Sequence, residues 1–315
     1  MPMETAERAI VTATPNPSID VGTAVDLVEP DRKLRCDEPT REPGGGGLNV
    51  TRAIARLGGA SLAFWARGGT TGALLHELLD GEGVLHRPIP MMGSVRESFA
   101  VLERASGRQF RFGTPGPTLA ADALTAFIDE LARLEPFPAL VVGSGSLPPG
   151  VDERFYADLA EAVAAGGGRF ILDTHGAPLR HALSTHCVHL IKPNLRELGA
   201  LVGQELESDA DIAEAARAMV LDRACDIVLV SLGAAGALVV TRDGADRIVA
   251  PTVPVRSRIG AGDSTVAGVA LALARGQSLA RAARFGVAAG AAAVMTPGTE
   301  LCRREDVARL FARML

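Results

Sequence analysis

Gly44-Gly45-Gly46-Gly47-Leu48-Asn49, running into a helical pattern, and Gly260-Ala261-Gly262-Asp263-Ser264, opening another helix far downstream, decide how this chain is read. Glycine lacks a Cβ and tolerates positive φ, so main chain can come within hydrogen-bonding distance of a bound molecule. A helix N-terminus offers unpaired N–H groups and the positive end of a dipole, which suits anions. One stretch brings backbone close to a substrate. The other aims N–H groups at negative charge, with a carboxylate alongside. Together they point to phosphoryl transfer onto a small polar molecule.

Around these stretches, short apolar runs at 139–143, 170–173, 188–192, 227–231 and 237–241 alternate with helical patterns at 152–165, 195–202, 209–221 and 264–275. Two further helices, 279–295 and 304–314, close the chain, with Ser278 as N-cap of the first. The runs are rich in Val, Ile and Leu without period-two alternation, as strands buried on both faces should be. The expectation is an α/β fold around a mostly parallel sheet. In the first half, helical patterns at 49–57 and 71–79 are interrupted by segments 19–43 and 89–113, strand-like at 98–103 and 109–112. These two segments are expected to pair into a small β-sheet lid over the site of a single domain, 1–315.

The chain has 315 residues, net charge −5, 47% hydrophobic and 22% charged residues, an ordinary globular composition. Trp65 and Tyr156 are its only Trp and Tyr, which leaves an aliphatic core and no stacking platform for single strands. The negative charge argues against nucleic acid or an acidic membrane as partner. No apolar run spans a bilayer, and the Ala-rich stretch 285–295 reads as a buried helix. The N-terminus, with Glu4 and Glu7, has no signal-peptide core. Cys36, Cys187, Cys225 and Cys302 form no CxxC pair and fit reduced thiols in a cytoplasm. His181, His186, Cys187 and His189 cluster, but their spacing matches no zinc pattern, so solvated or internally satisfied histidines are expected.

Neither a GxxxxGK[ST] loop nor the protein-kinase signature set is present. The second stretch must therefore act alone. Its N–H groups would form an anion hole, and Asp263 would orient a hydroxyl and accept its proton. The transition state of phosphoryl transfer is loose, so a carboxylate of ordinary pKa is expected to suffice. The alternative is an acidic residue merely favoured by the helix dipole.

REPGGGGLNVTRAIARLGG at 41–59 resembles the first signature of the phosphofructokinase B family of ribokinase-like sugar kinases, and IGAGDS at 259–264 resembles the second. SGSLPPG at 144–150, KPNLREL at 192–198 and VSLGAAG at 230–236 follow in family order. KLRC at 33–36, TPG at 114–116 and RFGVAAG at 284–290 are most similar to the family's minor bacterial 6-phosphofructokinases. The resemblance spans essentially the whole chain. It implies a ribokinase-like three-layer αβα domain with a β lid.

It further implies Asp263 as catalytic base and Gly260, Ala261 and Gly262 as anion hole. Asp20, Gly45, Gly46, Asn49 and Ser146 would hold the sugar. Lys192, Asn194, Ser231, Gly233 and Gly236 would serve ATP, and Glu197 Mg²⁺. Lys33, Arg35 and Arg96 would clamp the sugar's own phosphate. Arg258 stands where the family usually has Thr, near the phosphates and a monovalent-cation site. That departure leaves K⁺ open, with Arg258 either adding a phosphate contact or pointing to solvent. The implied reaction moves the γ-phosphate of MgATP to a hydroxymethyl group of a phosphorylated ketohexose, fructose 6-phosphate first. Fructose 1-phosphate and tagatose 6-phosphate are the alternative substrates, and a non-catalytic sugar-phosphate sensor the alternative class. A homodimer through the lid is the expected assembly.

Overall fold

The computed structural model describes residues 10–315, and the stretch holding Glu4 and Glu7 lies outside the described residues. The chain begins with β1 (Ile10–Thr14), β2 (Ser18–Val25), β3 (Thr40–Gly44) and α1 (Gly46–Arg56). Next come β4 (Leu62–Arg67), α2 (Gly69–Gly81), β5 (His86–Pro90), β6 (Arg96–Glu103) and β7 (Gln109–Gly113). Alternation then sets in with α3 (Thr125–Ala132), β8 (Leu140–Ser144), α4 (Phe155–Ala165), β9 (Arg169–Asp173), α5 (Gly176–Leu183) and β10 (Val188–Ile191). The remainder is α6 (Leu195–Val202), α7 (Asp209–Leu221), β11 (Cys225–Ser231), β12 (Ala237–Val240), β13 (Ala245–Ile248), α8 (Ala261–Ala274), α9 (Leu279–Ala293) and α10 (Arg304–Ala312).

Nine strands form the main sheet in the order β13-β12-β11-β10-β9-β8-β1-β4-β5. From β11 to β5 every neighbour is parallel, while β12 and β13 are antiparallel. Val141 packs on one side with residues of α3 to α7; Leu140 and Val142 pack on the other with α1, α8, α9 and α10. Successive strand residues face opposite ways and both faces are covered, which is why these strands read as unbroken aliphatic runs. Strand order reverses between β1 and β8, so the loops leaving their C-terminal ends diverge and open a crevice there.

The second sheet has four strands, β3-β2-β6-β7. Its register sets Ser18 opposite Arg96, Asp20 opposite Ser98 and Ala100 opposite Arg111. Asp20, Arg96, Ser98 and Arg111 therefore share one face. Ile19 and Val21 point the other way and are buried with Leu75 and Leu79 of α2. The lid is held by its apolar back and shows a polar front.

Helices α6 and α7 run as their sequence patterns predict, each closed by a capping box. The Ser278 hydroxyl caps α9 as expected. Boundaries shift at several helices, and at two the start shows why. Helix α8 starts at Ala261 rather than 264, so the glycines belong to its cap and first turn. Helix α4 starts at Phe155 rather than 152, because the Asp152 carboxylate accepts from Arg154 N and holds a turn there. Strands β1, β4, β5 and β13 were not anticipated. No helix among the described residues is long and apolar enough to cross a membrane.

Helices α8 and α9 meet backbone to backbone: a Cβ on Gly268 would lie 2.8 Å from the Cα of Gly286. Gly268→Val should lower the denaturation midpoint by the equivalent of ~1–3 kcal/mol with an unchanged m value. A variant as stable as the parent would disprove the close contact.

Candidate active site

Two cavities meet at the N-terminus of α8. One, of about 490 Å³, lies between the lid front and the C-terminal ends of β8 and β9. The other, of about 700 Å³, lies between the turn joining β11 to β12 and helix α9. Gly262 and Arg258 line both.

Gly45 and Gly46 of the glycine tetrad line the first cavity. Gly45 has φ 105°, in the region that favours glycine. A Cβ on Gly44 would strike the Asp20 carboxylate, and one on Gly46 the Ser144 hydroxyl. Asn49, in the first turn of α1, donates from Nδ2 to Asp263 Oδ2 at 2.9 Å. Its own Oδ1 accepts from Arg52 Nη1 at 3.2 Å. Arg52 is fully buried, and also donates to Pro43 O at 2.6 Å and to both carboxylate oxygens of Glu82 at 2.8 and 2.6 Å. Sequence reading passed over Arg52, although it lies one helical turn beyond Asn49, where side chains meet.

Gly260 caps α8 with φ 74°, and Asp263 stands in the first turn. Burial, and then the neighbouring Asp173 carboxylate, push Asp263 up to about 6, against the Asn49 hydrogen bond and the charge of Lys192. From sequence a carboxylate of ordinary pKa is expected to suffice; the folded chain holds a raised one, because a helix N-terminus and one amide do not replace lost water. Lys192 lies 3.2 Å from Asp173. Burial alone would lower its ammonium, but Asp173, with Asp263 and Glu197 beyond it, raises it overall. Asp173 was not anticipated, although it ends a buried parallel strand, where open α/β sheets present their ligand-binding groups.

Burial raises the Asp20 carboxyl, opposed by the Ser18 hydroxyl, which donates to it at 2.7 Å, and by the field of Arg96. Arg96 is braced by Asn16 O at 3.4 Å, Ser98 Oγ at 3.1 Å and Thr114 O at 3.2 Å. Arg111 joins it on the cavity wall. Lys33 and Arg35 do not: both stand exposed on the loop between β2 and β3. Ser146 is also outside the lining, and its Oγ accepts from Asn16 Nδ2 at 3.2 Å.

Asn194, Ser231, Gly233 and Gly236 all line the second cavity, together with the apolar Val253, Val255 and Val287. The Asn194 side chain accepts from Glu197 N, and Glu197 Oε2 accepts from Asn194 N, each at 2.9 Å. The capping box occupies one Glu197 oxygen, and the residue also lines the first cavity.

Of the clustered histidines, His186 meets Arg223 O at 3.1 Å and His189 meets Asp226 at 2.8 Å. A tighter group, His76, Asp80 and His86, lies elsewhere. Trp65 donates to His86 Nδ1 at 3.1 Å, so the ring proton sits on Nε2, facing Asp80 at 3.0 Å. A protonated nitrogen has no lone pair for a metal.

A family model described as pfkB family carbohydrate kinase matches residues 16–306. The chain belongs to the pfkB family of carbohydrate kinases. It is 43% identical over 302 residues to the ATP-dependent 6-phosphofructokinase isozyme 2 of Mycobacterium tuberculosis, covering 96% of this chain and 88% of that protein. Against the protein of the same name from Escherichia coli it is 41% identical over 303 residues, covering 96% and 98%. The crystal structure of Escherichia coli phosphofructokinase-2 in complex with fructose-6-phosphate matches with a TM-score of 0.92 at 40% identity, covering 98% and 99%. Other structures of that protein hold potassium or show a tetrameric inhibited form.

A carboxyl raised on folding contributes stability that is full below its unfolded value and lost as pH rises through about 6. Asp263→Asn should therefore match the parent near pH 4 and exceed it above pH 6, by roughly 3 kcal/mol at about 1.4 kcal/mol per pKa unit. Chemical denaturation across that range checks this; a constant difference would remove the buried charge from the account.

Proposed function

We propose that this chain is an ATP-dependent sugar-phosphate kinase that converts fructose 6-phosphate to fructose 1,6-bisphosphate. The observation that carries the reading is Asp263: a buried carboxylate, hydrogen-bonded to Asn49, at the helix start where two cavities join. The sugar phosphate occupies the first cavity, with Asp20, Gly45, Gly46 and Asn49 toward its hydroxyls and Arg96 and Arg111 toward its phosphate. Asp20 and Asn49 suit a polyol, since each can pair with more than one hydroxyl. Paired guanidinium forks suit a phosphate. ATP occupies the second cavity beside Asn194, Ser231, Gly233 and Gly236, with its phosphates toward Lys192 and the start of α8.

The C1 hydroxyl oxygen attacks the γ-phosphorus, the bond to the β,γ-bridging oxygen breaks, and ADP leaves with that electron pair. The proton passes to Asp263, whose value of about 6 leaves it ionised at neutral pH and able to accept it. The N–H groups of Gly260, Ala261 and Gly262 face the charge that develops. Asp173 and Glu197 offer hard oxygen donors on one cavity wall and fit a magnesium ion that keeps most of its water. Such an ion would neutralise phosphate charge when bound. Potassium stays in the reading because the Escherichia coli relative has a structure in complex with it.

The unit acts as one kinase domain, 1–315, whose lid, about 19–43 and 89–113, closes over the sugar and excludes water. The exposed Phe99 and Phe112, cross-strand neighbours on β6 and β7, support assembly with a second copy through the lid. Four free cysteines fit a reducing compartment such as the cytoplasm.

ADP release should be fastest with MgATP and fructose 6-phosphate among fructose 6-phosphate, fructose 1-phosphate, tagatose 6-phosphate, fructose and ribose. Preference for another phosphosugar would move the assignment to that kinase, and binding without turnover would make the chain a sensor. Asp263→Asn should lower kcat by ~10²–10⁴. In the parent, kcat/KM should rise with pH through about 6. Arg96→Ala and Arg111→Ala should each raise KM for the sugar phosphate by roughly 10-fold or more, leaving that for ATP within a few-fold. Equal losses for both ligands would discard the clamp.

A further inference from the structure

One cation at the junction has no part in the steps above. Arg258 lines both cavities, and the backbone around it is pinned. Arg256 N and Ser257 N donate to Val294 O at 2.7 and 3.3 Å. Ser257 Oγ donates to Gly298 O at 2.6 Å and accepts from Ile259 N at 3.2 Å. Ser257 and Ile259 are buried, and Arg258 between them is exposed. Anchoring both neighbours inward directs the intervening side chain outward, into the mouth where the cavities join. Gly260 then turns directly into α8.

The site's ion pairs are Arg52 with Glu82 and Lys192 with Asp173. Among the described residues Arg258 has no such partner, although Asp20, Asp173, Glu197 and Asp263 all line the first cavity with it. A reaction that carries a phosphoryl group past four carboxylates needs positive charge at the crossing point. That group's charge is spread over three oxygens, which a planar guanidinium fork can meet in pairs.

We propose that Arg258 is a catalytic residue, donating hydrogen bonds to the non-bridging oxygens of the phosphoryl group as it passes between the cavities. This rests on the kinase reading above. Bond making and breaking are unchanged: the hydroxyl oxygen bonds to phosphorus, ADP takes the electron pair of the broken bond, Asp263 takes the proton, and Arg258 remains protonated.

Steady-state ADP release with MgATP and fructose 6-phosphate tests it. Arg258→Ala should lower kcat by ~10²-fold, as loss of a transition-state donor does, with KM for the sugar within a few-fold. Added guanidinium chloride below denaturing concentration should restore part of the alanine variant's rate and none of the parent's. Arg258→Lys should recover an intermediate rate. The melting temperature should stay near the parent's, because the side chain is exposed. An unchanged kcat, or a loss confined to KM for ATP without rescue, would overturn the proposal. A parent without turnover on any phosphosugar would remove the kinase reading itself, whereas an active parent with an equally active Arg258→Ala removes only Arg258.

Discussion

A carboxylate deprived of water governs the arrangement of this molecule. Asp263 is ionisable, buried and close to a second carboxylate, Asp173, so its charged form has to be held by the protein. The start of α8, the Asn49 amide and the Lys192 ammonium share that task. Each brings a requirement of its own. Lys192 is itself buried and needs Asp173. Asn49 is held by the guanidinium of Arg52, which is held in turn by Glu82 and the Pro43 carbonyl. The path from Glu82 to Asp263 is thus a line of charge-assisted hydrogen bonds that ties α1 to the end of β3 and to the first turn of α8. Buried polar networks of this kind specify one geometry, since any break leaves a desolvated group unpaired.

The compensation is incomplete, and the carboxyl stays raised. A carboxyl lifted to about 6 is a better proton acceptor than an exposed one and is still ionised at neutral pH. The same crowding makes the crevice hostile to phosphate unless cations stand at both ends. Arg96 and Arg111 stand at the lid end of the crevice, Lys192 and Arg258 near the start of α8. Their sources differ: the lid strands, the end of the main sheet, and a pinned segment before α8.

How far this was legible from residues alone depends on the range of the interaction. Helices α6 and α7 are specified by capping boxes whose partners lie three residues apart, and the aliphatic runs of β8 to β12 by burial on both faces. The glycine-rich stretches also read correctly, because close backbone approach excludes a Cβ whatever the surroundings. Lys33 and Arg35 read as clamp residues from their resemblance to the family's clamp positions, and in the folded chain they stand exposed on the loop between β2 and β3. Arg111 lines the cavity beside Arg96 because the β6–β7 register sets it opposite Ala100, on the same face of the lid. Arg52 was passed over, since two of its partners, Pro43 and Glu82, lie outside its helix.

Local chemistry and the family resemblance in the chain were enough to establish an α/β kinase with a β lid and its two glycine-rich signatures, with Asp263 beside the second. Spacing, capping and the absence of a Cβ act over a few residues and leave their mark on the residues themselves. The raised pKa of Asp263, the presence of Arg96 and Arg111 on the cavity wall, and the place of Arg258 between two cavities arose only on folding. Desolvation, strand register and the meeting of distant loops depend on neighbours far apart along the chain, which no local pattern records.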